Sequence, residues 1–246
     1  MKIARAFGFA FTSSGAGGKL IRGGCYTSLF FTVFFPFVVV GYLTRLLCDL
    51  LEGRNVEMPH WRQLSALFND GLQPVLIALA YYAPVMVLST VDLYYRSTAL
   101  WGLQALLLLG ASALFPLAVL HAVTSGSFKG AFQLTVLCGF VRKNAGRVIK
   151  AWIVFAGLAL LPLMAAIILS LITAVPIAFL TNIEIGATIG FSVGVLGYCF
   201  ALFPVAVVSV YIWAEVYRAS TPFVDDSEGA SRASVVMPPS LNVGEK

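Results

Sequence analysis

The stretch "AWIVFAGLALLPLMAAIILSLITA", residues 151–174, carries no charged residue. About 20 residues at a rise of 1.5 Å cross the hydrocarbon core of a bilayer, so a run of this length reads as a membrane-spanning helix. Apolar and polar residues do not alternate at period two, which excludes a barrel strand. In lipid every backbone N–H and C=O must be paired inside the structure, and a helix does this within one segment. Extended to residue 148, this is the fourth of five such segments, the others being 26–47, 72–91, 99–123 and 187–214. The expected fold is all-α: an integral membrane bundle of about five transmembrane helices with short interfacial amphipathic helices.

Composition agrees with that reading. Of 246 residues 59% are hydrophobic and 11% charged, with mean hydropathy +0.91. Soluble domains carry about a quarter of their residues as charges, and a soluble fold of this size could not cover its surface with so few. The formal charge of +5 would suggest nucleic acid in a soluble chain. Here the bases flank apolar runs, so anionic lipid headgroups are the expected partner and nucleic acid is not. Cys25, Cys48, Cys138 and Cys199 are scattered without metal spacing and read as small packing residues.

Residues 1–24 place Lys2, Arg5, Lys19 and Arg22 around the short patch "AFGFAF" and read as an interfacial segment with Phe7 and Phe11 on one side. Residues 25–218 form the membrane domain. Residues 219–246, rich in Ser and Pro, form a tail without a core. Within the domain, "FFPF" at Phe34, "LFPL" at Leu114 and "LFPV" at Leu202 put Phe-Pro in the middle of each odd-numbered segment. "YYAPVMVLS" and "LLPLMAAIILS" are alike in the even ones. This suggests an internal A-B/A-B/A repeat, bent at Pro84 and Pro162 as well.

Between the first two apolar segments lies "GYLTRLLCDLLEGRNVEMPHWRQLSALFNDG", residues 41–71, where charges crowd. Arg45 stands where the first helix leaves the hydrocarbon, its stem able to reach the phosphates. Gly53 is a plausible helix stop, and Pro59 suits a new first turn. Trp61, Leu64, Leu67 and Phe68 then recur at helical spacing until Gly71. Such a segment is expected to lie flat at the headgroups, with Trp61 as an interfacial anchor. Asp70 either pairs with Arg45, clamping this helix to the first span, or is a solvated end residue.

These residues resemble the domain-of-unknown-function family 4013 of prokaryotic membranes. Its pattern of Gly-Tyr, Arg, Gly, Pro-x-Trp and Leu-Phe-x-Asp-Gly corresponds to Gly41, Tyr42, Arg45, Gly53, Pro59, Trp61, Leu67, Phe68, Asp70 and Gly71. The likeness is specific over these residues and continues diffusely over about four-fifths of the chain. Arg62 and Gln63 depart from it, since the family usually has acidic residues after the Trp. The resemblance implies an all-helical membrane fold and no activity.

Orientation follows the distribution of Lys and Arg. Arg45, Arg54 and Arg62 follow the first segment; Lys129, Arg142, Lys143, Arg147 and Lys150 follow the third; Arg218, Arg232 and Lys246 end the chain. The second connection has only Arg96, and the fourth has none. The long connections and the C-terminus are therefore expected in the cytoplasm, in the inner membrane of the cell. The bases of residues 1–24 conflict with this if the first segment spans. The full span is preferred; the alternative is a re-entrant segment over residues 23–45, bending at Pro36 with both ends cytoplasmic.

Three further groups stand out. Lys143, Arg147 and Lys150 fall on one helical face, as a plain collar of positive charge or as an anionic headgroup site. Gly186, Gly190 and Gly194, four apart, let another helix approach closely, within the bundle or between subunits. His60 and His121 are the only histidines, and surface roles are expected over ligation. No acid or base lies deep within a segment, and no P-loop, HExxH or Ser-His-Asp set is present, so neither catalysis nor a cofactor is expected. Gln104, Ser112, Ser170, Thr173 and Ser192 are the polar groups suited to helix contacts. The expected function is that of a noncatalytic scaffold or accessory subunit of a membrane complex, organising lipid and meeting a membrane-protein partner or a second copy of itself. The alternative is a permease or channel for a neutral or lipid-like solute, which would need a polar cavity at the Phe-Pro bends.

Overall fold

The computed structural model describes residues 3–13, 15–29, 32, 34–53, 58–61, 63–95 and 97–220. Among these there is no strand. The helices are α1 (Ile3–Thr12), α2 (Ala16–Ser28), α3 (Phe34–Leu51), α4 (Leu64–Tyr95), α5 (Thr98–Ser125), α6 (Leu134–Leu180) and α7 (Ile183–Arg218), with a 3₁₀ turn at Phe128–Phe132. The five helices α3 to α7 are each long and apolar enough to cross a bilayer. The chain is a multi-pass membrane protein.

The helices extend beyond the apolar runs, because a helix does not end where its side chains become polar. α4 starts at Leu64, so the expected surface helix is not a separate element but the first two turns of a long one. Gly71 lies inside it rather than at its end. At its other end α4 reaches Tyr95 and takes in Asp92, which the apolar run excluded. α6 begins at Leu134, and only at Asn144 (φ −120°, ψ 23°) is its helical backbone interrupted. The first apolar segment, by contrast, is two pieces. α2 ends at Ser28 and α3 starts at Phe34, so the expected boundary at residue 24 falls within α2. Pro36 sits in the first turn of α3, where its missing N–H costs nothing, whereas Pro116 and Pro204 are deep inside α5 and α7. The three Phe-Pro pairs are thus not equivalent in position.

The chain divides into two compact units, Met1–Leu76 with Ala145–Ala214 and Ile77–Asn144 with Glu215–Lys246. In the first, α2 folds back on α3, with Tyr26 and Phe35 stacked 5.0 Å apart. It also lies antiparallel along α7, where Gly23 and Gly24 face the rings of Phe203 and Phe200. A Cβ on Gly23 would stand 2.2 Å from the Phe203 ring. The Ser28 hydroxyl donates to the Leu196 carbonyl at 3.2 Å, and Phe9 meets Tyr211 at 5.6 Å. α6 and α7 pack through small residues: Gly186 on Ala178, Gly190 on Ala174 and Ser170, Gly194 on Ser170 and Ala166.

In the second unit polar side chains pin the α4–α5 hairpin. The hydroxyls of Tyr82 and Ser112 are 3.2 Å apart, and Gln104 Nε2 donates to Ser89 Oγ at 2.7 Å. Gly126, in the left-handed region at φ +60°, ends α5. The 3₁₀ turn folds back beneath it, where the Tyr81 hydroxyl donates to the Ala131 carbonyl at 2.7 Å. His121 Nε2 reaches Gln133 Oε1 at 3.4 Å across the same turn. Of the other polar groups, Thr173 bonds carbonyls of its own helix. Ser192 is exposed and also bonds within its helix, to Thr188, so it is not a buried contact residue.

Candidate functional site

The residues of the 41–71 stretch converge on one close antiparallel crossing between α3 and α4. Roughly two turns of α3, from Phe37 to Arg45, meet little more than one turn of α4, from Leu67 to Gly71. At its centre the two backbones touch. A Cβ on Gly41 would lie 1.8 Å from the Leu67 carbonyl oxygen, and one on Gly71 would lie 1.9 Å from that of Phe37. Only two glycines facing one another permit this approach. On one side of the contact Phe68 stacks on Phe34 at 5.3 Å and packs at a tilt on Phe37 at 4.9 Å. On the other, Arg45 Nε donates to Asp70 Oδ2. Both side chains of this ion pair are about one-third exposed, at 35% and 38%, so it contributes about 0–1 kcal/mol. It fixes the crossing's direction more than its stability.

Next to Gly41 on α3, Tyr42 is fully buried and stacks on Trp61 with centroids 4.1 Å apart and planes 11° from parallel. Phe203 of α7 closes on both rings, at 5.6 and 5.5 Å. Tyr26 meets Trp61 edge-on at 5.1 Å. The loop bearing Trp61 is held to α2 by a reciprocal pair of bonds. Trp61 Nε1 donates to the Lys19 carbonyl at 3.0 Å, and Lys19 Nζ donates to the Met58 carbonyl at 2.6 Å. Gly53 (φ +68°) follows the end of α3, as its position in the sequence suggested. Gln63 takes a left-handed φ of +57° immediately before α4, which costs a non-glycine residue about 1 kcal/mol. Its carbonyl then receives the Ala66 and Leu67 N–H groups and starts the helix.

The structure redistributes the expected site residues. Trp61 is only 9% exposed, and its N–H is used inside the cluster, so protein rather than lipid or water surrounds it. Arg45 and Asp70 are brought together. Lys143, Arg147 and Lys150 are exposed, but the break at Asn144 separates Lys143 from the other two, so the helical spacing does not carry across all three. Gly186, Gly190 and Gly194 contact α6 of the same chain. Arg54, Arg62, Arg96, Arg232, Lys246, Lys2 and tail residues 221–246 lie outside the described residues. Lys19 and Phe203 are the cluster members the sequence did not announce. Nothing in a linear pattern links residue 19 or 203 to residue 61.

Chemically, the cluster's groups are turned on one another. Among the described residues no three His, Cys, Asp or Glu side chains are grouped to hold a metal, and the four cysteines are free thiols. The Tyr42 hydroxyl is buried without a hydrogen-bond partner. No curated protein and no solved structure matches the chain. The family model described as protein of unknown function (DUF4013) matches residues 26–172, a narrower span than the resemblance suggested but one that includes all ten motif residues and ends before α7. With its motif built into one helix crossing and that model covering more than half its length, the chain belongs to the DUF4013 family.

Proposed function

We propose that this is a noncatalytic multispan membrane protein that serves as an accessory or scaffold subunit of a membrane complex. One observation carries the reading. The space between the motif residues and the Phe203-Pro204 step of α7 is filled by mutual packing of Tyr42, Trp61 and Phe203. A solute pathway at that Phe-Pro step would require polar space there instead. Native mass measurement after gentle extraction tests it. The expected species exceeds the 26.4 kDa chain by a protein partner in fixed ratio. A lone chain that moves a neutral solute across liposomes would replace this reading with the permease one.

The same reading places the protein in the cytoplasmic membrane with both termini inside. Lys19, near the start of α2, bonds the loop that follows α3. The α2–α3 hairpin therefore begins and ends together, as in the re-entrant alternative, though it turns between Ser28 and Phe34 rather than at Pro36. α4 to α7 then cross, and the bases of residues 1–24 join those of the long connections, with Arg96 alone on the far side. Arg147 and Lys150, exposed on α6, are placed to meet anionic headgroups. A Gly17→Cys variant lacking the four native cysteines tests the topology, since Gly17 is exposed with open space around it. A membrane-impermeant maleimide should label it only after permeabilisation; labelling in intact cells would place the N-terminus outside.

A further inference from the structure

A second polar site lies away from the α3–α4 crossing, in the α4–α5 hairpin. Ser89 and Asp92 on α4 face Trp101, Gln104, Ala105 and Leu108 on α5 across a groove of about 360 Å³. Ser89 Oγ has partners of both kinds, donating to the Val85 carbonyl at 2.8 Å and accepting from Gln104 Nε2. Asp92 is different: its Oδ1 is shielded from solvent and has no hydrogen-bond partner. A carboxylate oxygen can only accept, so its natural complement is a donor, and a cationic one makes the stronger bond. Among the described residues no basic side chain lines the groove. Trp101, 67% exposed, adds an aromatic face of the kind that attracts ammonium groups.

The depth of the groove identifies the bearer of that cation. Asp92 is one turn from the end of α4, and Tyr94 and Tyr95 beside it are 83% and 76% exposed. Exposed Tyr and Trp at the end of a membrane-spanning helix mark the headgroup level. Apolar Leu108 and Ala105 line the part of the groove further along α5. We propose that the Ser89–Asp92–Trp101–Gln104 groove binds the ammonium headgroup of an aminophospholipid, with Asp92 as acceptor and Trp101 beside the cation. The chemistry is shared with any small free amine; the position among interfacial aromatics favours the lipid. The proposal stands on this groove and the membrane placement, so its failure would leave the accessory-subunit reading untouched.

The test is native mass spectrometry of the full chain with phosphatidylethanolamine or phosphatidylglycerol added to the detergent. Phosphatidylethanolamine adducts should predominate. Asp92→Asn, which keeps the shape, should weaken them about tenfold, as expected for one charge-assisted hydrogen bond, and leave phosphatidylglycerol unchanged. Trp101→Leu, a change at an exposed side chain, should weaken the same adduct by a smaller factor. Equal binding of the two lipids, or an equal loss of both in Asp92→Asn, would overturn the proposal. So would displacement of the lipid by millimolar free ethanolamine, which would assign the groove to a soluble amine.

Discussion

Gly41→Ala is expected to unfold the protein or cost it more than about 3 kcal/mol, and Gly71→Ala to do the same. Overpacking a core by a methyl group ordinarily costs about 1–3 kcal/mol because neighbouring side chains shift. Here the new Cβ would meet backbone: the Leu67 carbonyl oxygen at 1.8 Å in one case and the Phe37 carbonyl oxygen at 1.9 Å in the other. A carbonyl within a helix cannot turn aside without breaking its own hydrogen bond, so the helices must separate. Separation loosens Arg45 from Asp70, and Phe68 from Phe34 and Phe37, together. The double variant should be little worse than either single one, because both substitutions break one contact and such neighbours do not add. Gly102→Ala and Gly110→Ala, inside α5, are the controls, with nothing within 4 Å of the added carbon; they should be neutral or stabilising by up to about 1 kcal/mol. Thermal or denaturing-detergent unfolding measures all five. A Gly41→Ala protein as stable as the Gly110→Ala protein would mean that α3 and α4 do not cross at these glycines.

The fold class was legible because membrane insertion writes itself into composition: long uncharged runs have one structural use in this setting. The motif was legible as a set, but its meaning was not. Gly71 looks like a helix stop because glycine has that use in loops, and only the facing position of Gly41 shows its other use. Trp61 looks like an interfacial anchor because tryptophan prefers that depth. Its burial depends on Lys19, Tyr42 and Phe203, which no periodicity connects to it. Asp92 escaped notice for a simpler reason: the apolar run ends one residue before it, whereas the helix continues to Tyr95.

Trp61→Ala carries the second large expectation, a loss of about 3–5 kcal/mol for truncating a large buried aromatic. Trp61→Phe separates the causes. It keeps an aromatic ring against Tyr42 but removes the N–H that satisfies the Lys19 carbonyl, so it should cost only about 1 kcal/mol. An anchor at the headgroup surface would behave otherwise: in detergent either change would cost little. The two substitutions should also differ in where the protein opens. Trp61→Ala removes both the ring that Tyr26 of α2 packs against and the donor to the Lys19 carbonyl, leaving the Lys19 bond to Met58, whereas Trp61→Phe removes the donor alone. Proteolysis of Trp61→Ala should therefore cut first in α2, near Lys19 and Arg22, while Trp61→Phe stays resistant there. Equal resistance of both variants, at the stability of the unaltered chain, would mean that Trp61 does not hold α2, leaving it to the Tyr26 stack on Phe35 and to Gly23, Gly24 and Ser28 against α7.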